Sequence, residues 1–408
     1  MNTFKLLKSK RKGSTIALVM IVLVILLLAG AGLLNLGMHS RMAAVRDASE
    51  ISARCAADAG LAKALYEMNL QLAAGAWSDS NLPYAMYEPL PGSEATFGYT
   101  VTPDTNDRYD LQAMGNSGRS QKTVSASLGI KGIFEYAVFA NDIEFKSGTT
   151  IDAYNLGAGG KPLKIGTNST SAGAITAKSG VTIDGDVVVG VGGDTDVVID
   201  SKAEAAITGV TYSLPSKHPT KSINVPGWLK SAPSQGTITT GTTITTSGKY
   251  DAINLLADPN KLETLVIDGD VSLYVVGDIR LGNNDEFQVV DAGTNPDASL
   301  TLYVEGNILF DNGSTVNNLS MDCRAFQIYG LDTCTSIQFK QGGTIYATIY
   351  APNADIQLFN GVELFGAIVG KTIAQDAAGS IHYDASLRQV SATDVGVRFV
   401  VERWSEQQ

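Results

Sequence analysis

Residues able to do chemistry are scarce in this chain. Three histidines occur: His39 after an apolar run, His218 in a proline-rich stretch and His382 in the segment SIHYD. His382 and Asp384 are two residues apart, so on a strand both side chains would share a face. A histidine base could use such a carboxylate, but a polar edge on a last strand is the interpretation that we favour.

Two pairs of carboxylates have a spacing compatible with work on sugars. They are Asp184 with Asp186 and Asp268 with Asp270, each in the sequence DGD. Enzymes that cleave polysaccharides on β-helices place paired carboxylates in a groove, often with calcium. DGD is also an ordinary turn sequence. Because the chain has no phosphate loop, CxxC pair or GxSxG motif, we predict a protein that is not an enzyme and has no catalytic residue.

A bound calcium and a disulfide stay open on the sequence. The segment GGDTDVVID at 192–200 resembles a calcium-binding nonapeptide, but it lacks the second spaced glycine and is not repeated in tandem. A structural calcium is thus an open expectation, and no other metal or cofactor is predicted. Cys323 and Cys334 flank a short segment and could close a small loop in an oxidising compartment, or remain two free thiols. Cys55 is expected in a helix as a small apolar residue.

Charge is distributed unevenly along the chain. The formal net charge is −11, whereas the first 46 residues contain no acid and seven basic residues: Lys5, Lys8, Lys10, Arg11, Lys12, Arg41 and Arg46. The rest of the chain is therefore strongly acidic. An acidic body repels phosphates, so nucleic acid is not a predicted partner.

One segment is apolar enough to cross a membrane. Residues 16–38 contain no charge, and as a helix they would span roughly 35 Å, enough for the core of a bilayer. Basic residues precede this segment, so the positive-inside rule leaves the long C-terminal part outside the cytoplasm. The predicted location is a membrane, with the C-terminal domain on its non-cytoplasmic side.

The helix is predicted to continue to residue 72. Residues 39–72 contain no proline, and only Gly60 interrupts the good helix formers. Two stripes are predicted on this second half. Charges of alternating sign, each four apart, form one stripe (Arg46, Glu50, Arg54, Asp58), and apolar residues form the other (Ile51, Cys55, Ala59, Ala62, Tyr66).

The N-terminus resembles the leader of a type IV pilin. The basic stretch SKRKG comes directly before STIALVM and the apolar run. The resemblance implies that a prepilin peptidase cuts between Gly13 and Ser14 and methylates the new amine of Ser14. Most such pilins carry glutamate at the fifth mature position, where this chain has Leu18. A missing glutamate is a feature that the chain shares with minor pilins located at the tip. An uncleaved signal anchor is the alternative.

The body is predicted to be rich in β-structure. Runs near 97–103, 108–114 and 121–130 alternate as strands do and predict a small antiparallel sheet. From residue 134 a pattern of isoleucine, glycine and a later apolar residue recurs, as IEFKSGTTI, ITAKSGVTI, ILFDNGSTV, IQFKQGGTI and IQLFNGVEL. Rungs of about 19 residues that stack into a parallel β-solenoid explain this repeat, and a β-sandwich is the alternative.

The predicted organisation is mainly β with one long N-terminal helix. It comprises a leader (1–13), a helix (14–72, transmembrane 16–38), a pilin-like sheet (73–133), a solenoid (134–390) with a proline-rich insertion or hinge (212–236), and a C-terminal strand and tail (391–408). The tail is expected either to cap the solenoid or to return to the sheet.

Two longer segments resemble PilX-type pilus assembly proteins, one in each half of the chain. They are MAAVRDASEISARCAADAGLAKAL and APNADIQLFNGVELFGAIVGKTIAQDAAGSIHYD. The resemblance implies a minor pilin in pilus assembly. It also implies a location in the bacterial inner membrane, with the C-terminal domain periplasmic or extracellular, and on the pilus or cell surface after assembly. The implied partners are the membrane, other pilins, the prepilin peptidase and a surface glycan or protein. An envelope scaffold that polymerises through its solenoid is the alternative, with a polysaccharide enzyme ranked below it.

Overall fold

The computed structural model describes residues 14–74, 76–104, 108–157, 160, 163–202, 205–256, 261–340, 342–392 and 394–407. The chain forms two compact units. One contains residues up to 130 together with 399–408, and the other contains residues 131–398. The chain therefore passes from one unit to the other twice.

The predicted fold class is confirmed: one long helix precedes a mainly β chain. The helix Ser14–Ala73 has 60 residues and is followed by strands throughout both units. Only short helical segments occur among the other described residues, namely Thr195–Val198, Gly227–Lys230 and the 3-10 turns Cys323–Ala325 and Ala385–Arg388.

The first unit packs the long helix against a five-stranded sheet. In spatial order its strands are Tyr84–Pro89, Thr96–Pro103, Arg108–Ser117, Ser120–Lys131 and Arg398–Gln407. The tail thus returns to this sheet, one of the two predicted destinations. The edge strand Tyr84–Pro89 adds to the three predicted strands, and prolines are compatible with the start and end of such a strand.

The second unit is a stack of short parallel strands. Their pairing is parallel at every register found between described strands. The strands are Val138–Phe139, Asp142–Phe145, Thr150–Tyr154, Leu163–Gly166, Ile175–Ala177, Thr182–Ile183, Gly185–Val189, Ile199–Ser201, Ala206–Ile207, Thr211–Ser213, Thr237–Ile238, Thr242–Ile244, Gly248–Tyr250, Ala252–Leu255, Thr264–Ile267, Asp270–Val275, Ile279–Leu281, Glu286–Val289, Ser299–Val304, Ile308–Phe310, Thr315–Asn318, Phe326–Gly330, Ser336–Phe339, Thr344–Leu358, Glu363–Gln375 and Ser380–Asp384.

Ten isoleucines in register show the order in which the rungs stack. Each pairs with the next along the stack, and the last strands of the unit pair with its first, through Ile373 and Ile143. The N-terminal rungs therefore continue the stack beyond the C-terminal ones. The ladder runs in the spatial order Ile238, Ile253, Ile279, Ile308, Ile337, Ile356, Ile373, Ile143, Ile175 and Ile199.

This stacking order corrects the interpretation of the proline-rich insertion. Residues 214–236, which we call the strap, join Thr211–Ser213 at one end of the stack to Thr237–Ile238 at the other. Nine strand spacings separate these ends, roughly 40 Å, and 23 residues can span that distance. The strap is therefore not a hinge between two blocks. It runs along one continuous solenoid.

Residues with positive φ form the corner of the repeat. Gly148, Gly180, Gly313 and Gly361, at the sixth position of the motif, have φ between 69° and 78°. A left-handed conformation at this corner favours glycine. In IRLGNNDEF at 279–287, Asn284 takes the same position with φ 70°, so this rung follows the motif with asparagine in place of glycine.

Rung length varies more than predicted. The expected 19 residues separate Ile337 from Ile356, but 17 separate Ile356 from Ile373 and 32 separate Ile143 from Ile175. Extra residues are accommodated in the turns because parallel pairing requires only that the strands remain in register.

A histidine anchors the strap to the solenoid. The His218 ring lies 4.9 Å from the ring of Tyr136 and 4.5 Å from that of Phe139, measured between centroids. The Asn168 side chain donates to the His218 carbonyl oxygen at 2.7 Å and accepts from its backbone N–H at 2.9 Å. Further along, the Tyr350 hydroxyl donates to the Lys221 carbonyl oxygen at 2.7 Å. The strap is therefore held at defined points.

The attachment of the strap is expected to weaken in acid. The pKa of the His218 imidazole is lowered from 6.5 to about 4, mainly by burial (the residue is 8% exposed) and also by Arg398, while Glu135 opposes the shift. Because the folded pKa is depressed, the unfolded chain binds the extra proton between pH 6.5 and 4. The free energy of unfolding should be highest above pH 6.5 and fall by about 3 kcal/mol by pH 4.

Denaturant unfolding of the detergent-solubilised chain between pH 4 and 7 measures this loss. His218→Phe keeps a ring between Tyr136 and Phe139 and should reduce the pH slope, whereas His39→Gln, on the exposed helix, should not. An unchanged slope in His218→Phe would contradict the assignment.

Candidate functional site

The apolar half of the long helix has no protein partner within the described chain. Its large apolar side chains, between Ile16 and Met38, are 47–79% exposed. By length and composition this helix can cross a membrane. The predicted cleavage site falls at its start: the helix begins at Ser14, whereas Gly13 and the rest of the 1–13 leader lie outside the described residues. Leu18 is 61% exposed.

The second half of the helix buries a face of very small residues. Ala53, Ala56, Ala57, Gly60 and Ala64 lie against the sheet and are fully buried or nearly so. The predicted apolar stripe was wrong, because Ile51 and Tyr66 are more than 60% exposed and Cys55 is exposed as well. Close packing selects the first part of this face, since only small side chains admit this approach, whereas Met68 and Leu72 continue it as larger buried apolar residues.

Gly115 shows how close this approach is. A Cβ atom at this position would lie 2.0 Å from the Ala53 carbonyl oxygen and 2.5 Å from the Ala57 backbone nitrogen. The backbone of the strand Arg108–Ser117 thus touches the backbone of the helix. On the helix side, a Cβ at Gly60 would lie 3.2 Å from the Phe97 ring. The alanines and glycines of both elements therefore form one interface.

Two charges of the predicted stripe, Glu50 and Arg54, pair with the sheet. Lys122 approaches Glu50 at 2.5 Å, and Arg54 approaches Glu406 at 3.4 Å. Hydrogen bonding to Lys122 lowers the pKa of Glu50 below its usual value. The stack of opposite charges predicted from the spacing of four is replaced by pairs across the interface. Because these groups are exposed, they contribute to register more than to stability.

The last strand is tied to the helix by an amide. The Asn69 side chain accepts from the Phe399 backbone N–H at 2.8 Å and donates to the Phe399 carbonyl oxygen at 3.3 Å. The Phe399 ring also packs on Trp77 and Tyr109, with centroids 4.5 and 5.1 Å away. Sequence reasoning missed this contact because 330 residues separate Asn69 from Phe399.

His382 and Asp384 have different partners in the structure. His382 Nδ1 lies 2.5 Å from Asp152 Oδ1 on the next rung, and its ring stacks on Phe365. Asp384 caps the turn Ala385–Arg388, accepting from the Ser386 backbone N–H, and is buried. The two residues therefore form no dyad.

The carboxylate pairs link neighbouring rungs. Asp184 accepts from the Thr208 hydroxyl at 2.7 Å, and Asp186 accepts from the Val210 backbone N–H at 3.0 Å. Asp268 and Asp270 do the same further along, accepting from Asn295 at 2.8 Å and from Ser299 at 2.7 Å. One oxygen of each carboxylate thus accepts a structural hydrogen bond.

The segment 192–200, for which calcium binding was left open, contains a helical turn. Asp194 caps the helix Thr195–Val198, accepting from the Asp196 backbone N–H at 3.0 Å, and Asp200 pairs with Lys202 at 2.7 Å. A calcium site needs six to eight converging oxygens. Carboxylates already used by a cap and a lysine do not fit that requirement.

The disulfide left open in the sequence is not formed in the structure. All three cysteines are free. The Cys323 thiol donates to Asp384 at 3.6 Å, whereas Cys334 lies beside Gly330. Burial raises the pKa of both thiols, that of Cys334 to about 11, so both stay protonated at neutral pH. Asp322, Cys323 and Asp384 could each offer one ligand atom to a metal ion, but Asp384 already accepts from the Cys323 thiol and from the Ser386 backbone N–H.

Comparisons with known proteins match parts of this architecture. A family model described as a domain of unknown function, DUF7305, matches residues 204–390. No curated protein matches the chain. Among solved structures, the chain is similar to the crystal structure of the competence-associated pilin ComZ from Thermus thermophilus, with 14% identity, a TM-score of 0.26, and coverage of 88% of this chain and 97% of that one. The family match spans the strap and the rungs that follow it.

We predict that Gly115→Ala disrupts the interface between helix and sheet. The added Cβ collides with helix backbone, which cannot move aside as a flexible side chain could, so the loss should be about 3 kcal/mol. Thermal unfolding of the detergent-solubilised chain measures it. Gly30→Ala, where a Cβ meets no atom within 4 Å, is the control. Equal unfolding midpoints for the two variants would contradict the packing described.

Thiol labelling tests the state of the cysteines. N-ethylmaleimide should label the native chain once, at Cys55, and label it three times after denaturation without a reductant. Intact mass spectrometry counts the labels, and Cys55→Ala should remove the native one. A single label after denaturation would instead show that Cys323 and Cys334 form a disulfide.

Proposed function

We propose that this protein is a minor pilin-like component of type IV pilus assembly. It would be anchored in the bacterial inner membrane, with the solenoid in the periplasm, and would reach the pilus or cell surface after assembly. The other pilins, the prepilin peptidase and the membrane would be its partners.

The observation that carries this proposal is the division of one continuous helix into two halves. Its first half exposes an apolar surface that Asn35 alone interrupts between Ile16 and Met38, and its second half buries an alanine-rich face under the sheet. A helix in water would not keep the first half exposed, because each large apolar side chain there costs roughly 1.5–3 kcal/mol of lost burial. A bilayer, or a bundle of similar helices, is the environment that such a surface requires.

The size of the second unit favours a position at the end of a pilus. Residues 131–398 form a body of their own, with about two-thirds of the chain. Regular packing along a shaft would have to accommodate this body at every subunit. A tip or priming position removes that constraint and leaves the solenoid faces free for adhesion.

We further propose that the solenoid is not an enzyme. The support is the use of its carboxylates: Asp184, Asp186, Asp268 and Asp270 each bond to a neighbouring rung. A catalytic acid and base must instead face a substrate across a short gap.

An envelope scaffold is the second candidate, and the ends of the stack favour it. Thr242–Ile244 at one end and Thr211–Ser213 at the other each pair with a single described strand, Thr264–Ile267 and Gly185–Val189 respectively. Open parallel edges of this kind can add another chain. Filaments of the purified chain that dissolve when these edges are changed would support this candidate.

N-terminal sequencing of the protein from membranes and from sheared surface fractions tests the pilin role. We expect the mature chain to begin at Ser14 with a methylated amine. Gly13→Val should leave Met1 in place, because a branched side chain would replace the hydrogen at the cleaved bond. Gly30→Ala, inside the apolar helix, should be processed normally.

Two outcomes would contradict the pilin role. One is an intact Met1 in every fraction of cells that process their other pilins. The other is absence of the protein from sheared pili together with normal pilus assembly in cells that lack it.

A further inference from the structure

The outer face of the first unit's sheet contains a shallow depression beside its edge strand. Its volume is about 320 Å³, within the range of small-molecule sites. The wall is formed by Tyr84, Met86 and Tyr87, which are 63–68% exposed, and the floor by the neighbouring strands. Three large apolar side chains held in water beside one cavity indicate a binding surface.

A bulge in the edge strand forms this wall. The pairing of Tyr84–Pro89 with Thr96–Pro103 shifts register between Ala85 and Glu88, and Tyr87 takes φ 54°. A left-handed conformation is strained for tyrosine, and such strain persists where the surrounding structure enforces it. Gly98 lies beneath the bulge, because a Cβ there would lie 2.9 Å from the Ala85 carbonyl oxygen. The backbone thus holds two tyrosines at the rim.

The floor of the depression combines polar side chains with an apolar one, Met114. A row of paired residues crosses the sheet from Tyr84 to Thr100, Gln112 and Ser125. The side chains of Thr100 and Gln112 make no hydrogen bond to any group in the described part of the chain, and the same holds for Asn116 and Thr123 nearby. Amides and hydroxyls with free capacity, next to tyrosine rings, can bind a ligand that has many hydroxyls and apolar C–H faces.

The lining is uncharged at the tyrosine end, where none of the residues around the 320 Å³ depression carries a charge. A second depression on the same face shares Thr100 and Gln112 and continues across the sheet towards the last strand, which favours an elongated ligand. Acids outnumber bases in this second depression, so an acidic ligand is disfavoured there as well. Its charged lining residues are Asp104, Asp110, Glu402, Arg108 and Arg403. The two depressions together form one groove that begins at the tyrosines.

We propose that this groove binds a neutral oligosaccharide, with Tyr84 and Tyr87 stacking on the sugar rings and Thr100, Gln112 and Asn116 bonding to its hydroxyls. This site lies on the five-stranded sheet of the first unit (the head sheet), and the proposal rests on the geometry of the site alone. Its failure would leave the N-terminal processing of the chain, and hence the pilin role, unaffected.

Calorimetric titration of the full-length chain with N-acetylchitohexaose and maltohexaose tests the proposal. The detergent must be zwitterionic, because sugar-headed detergents would compete. At least one of these hexamers should bind saturably, and hexagalacturonate, an acidic hexamer, should bind at least tenfold more weakly. Tyr84→Ala should weaken binding at least tenfold, whereas Tyr66→Ala, which removes an equally exposed tyrosine from the helix, should not change it.

Tyr87→Gly separates binding from folding. Glycine adopts φ 54° without strain, so this variant should unfold at the same temperature as the parent or a higher one, and still bind at least tenfold more weakly. The proposal is overturned if neither neutral hexamer binds, if the Tyr84 and Tyr87 variants bind as the parent does, or if hexagalacturonate binds equally well. It is also overturned if the variants abolish only self-association of the chain, since the groove would then be a protein interface.

Discussion

The in-register stacking of identical apolar residues is the constraint on which the second unit depends. Ten isoleucines form one ladder, and eight of them, from Ile253 to Ile175 in spatial order, are no more than 2% exposed. A single rung has no interior of its own, so each isoleucine is buried only by the rungs above and below it. Burial of each contributes about 1.5–3 kcal/mol. The ladder therefore fixes register more strictly than it fixes rung length.

This constraint explains why chain order and spatial order can differ. The ladder requires that isoleucine follow isoleucine, and it is indifferent to which segment supplies the next one. Ile373 pairs with Ile143 in the same way as Ile356 pairs with Ile373, so the first rung in the chain can stack on the last one. The connection between the two free ends must then run outside the stack. A strap with four prolines suits that path, because extended proline-rich chain needs no ladder of its own.

The sequence predicted elements better than their arrangement. The long helix, three of the head strands and the repeat of the solenoid follow from periodicity and from glycine at a corner. The closure of the stack did not, since every rung carries the same signal and none encodes its neighbour. The prediction of the buried helix face was wrong. Ile51 and Tyr66 are more hydrophobic than Ala53 and Ala57, but the close approach of Gly115 admits only the two alanines. The hydrogen bonds between Asn69 and Phe399 have no local signal in the sequence.

The same logic separates structural polar groups from available ones. In the solenoid, Asp184, Asp270 and His382 looked functional in sequence, yet each is used on a neighbouring rung. On the head sheet, Gln112 and Thr100 carry no motif, yet their side chains are free within the described chain and lie beside a strained tyrosine. A polar group that the fold already uses is not available to a ligand. The residues that remain available are found by tracing hydrogen bonds, which a sequence does not record.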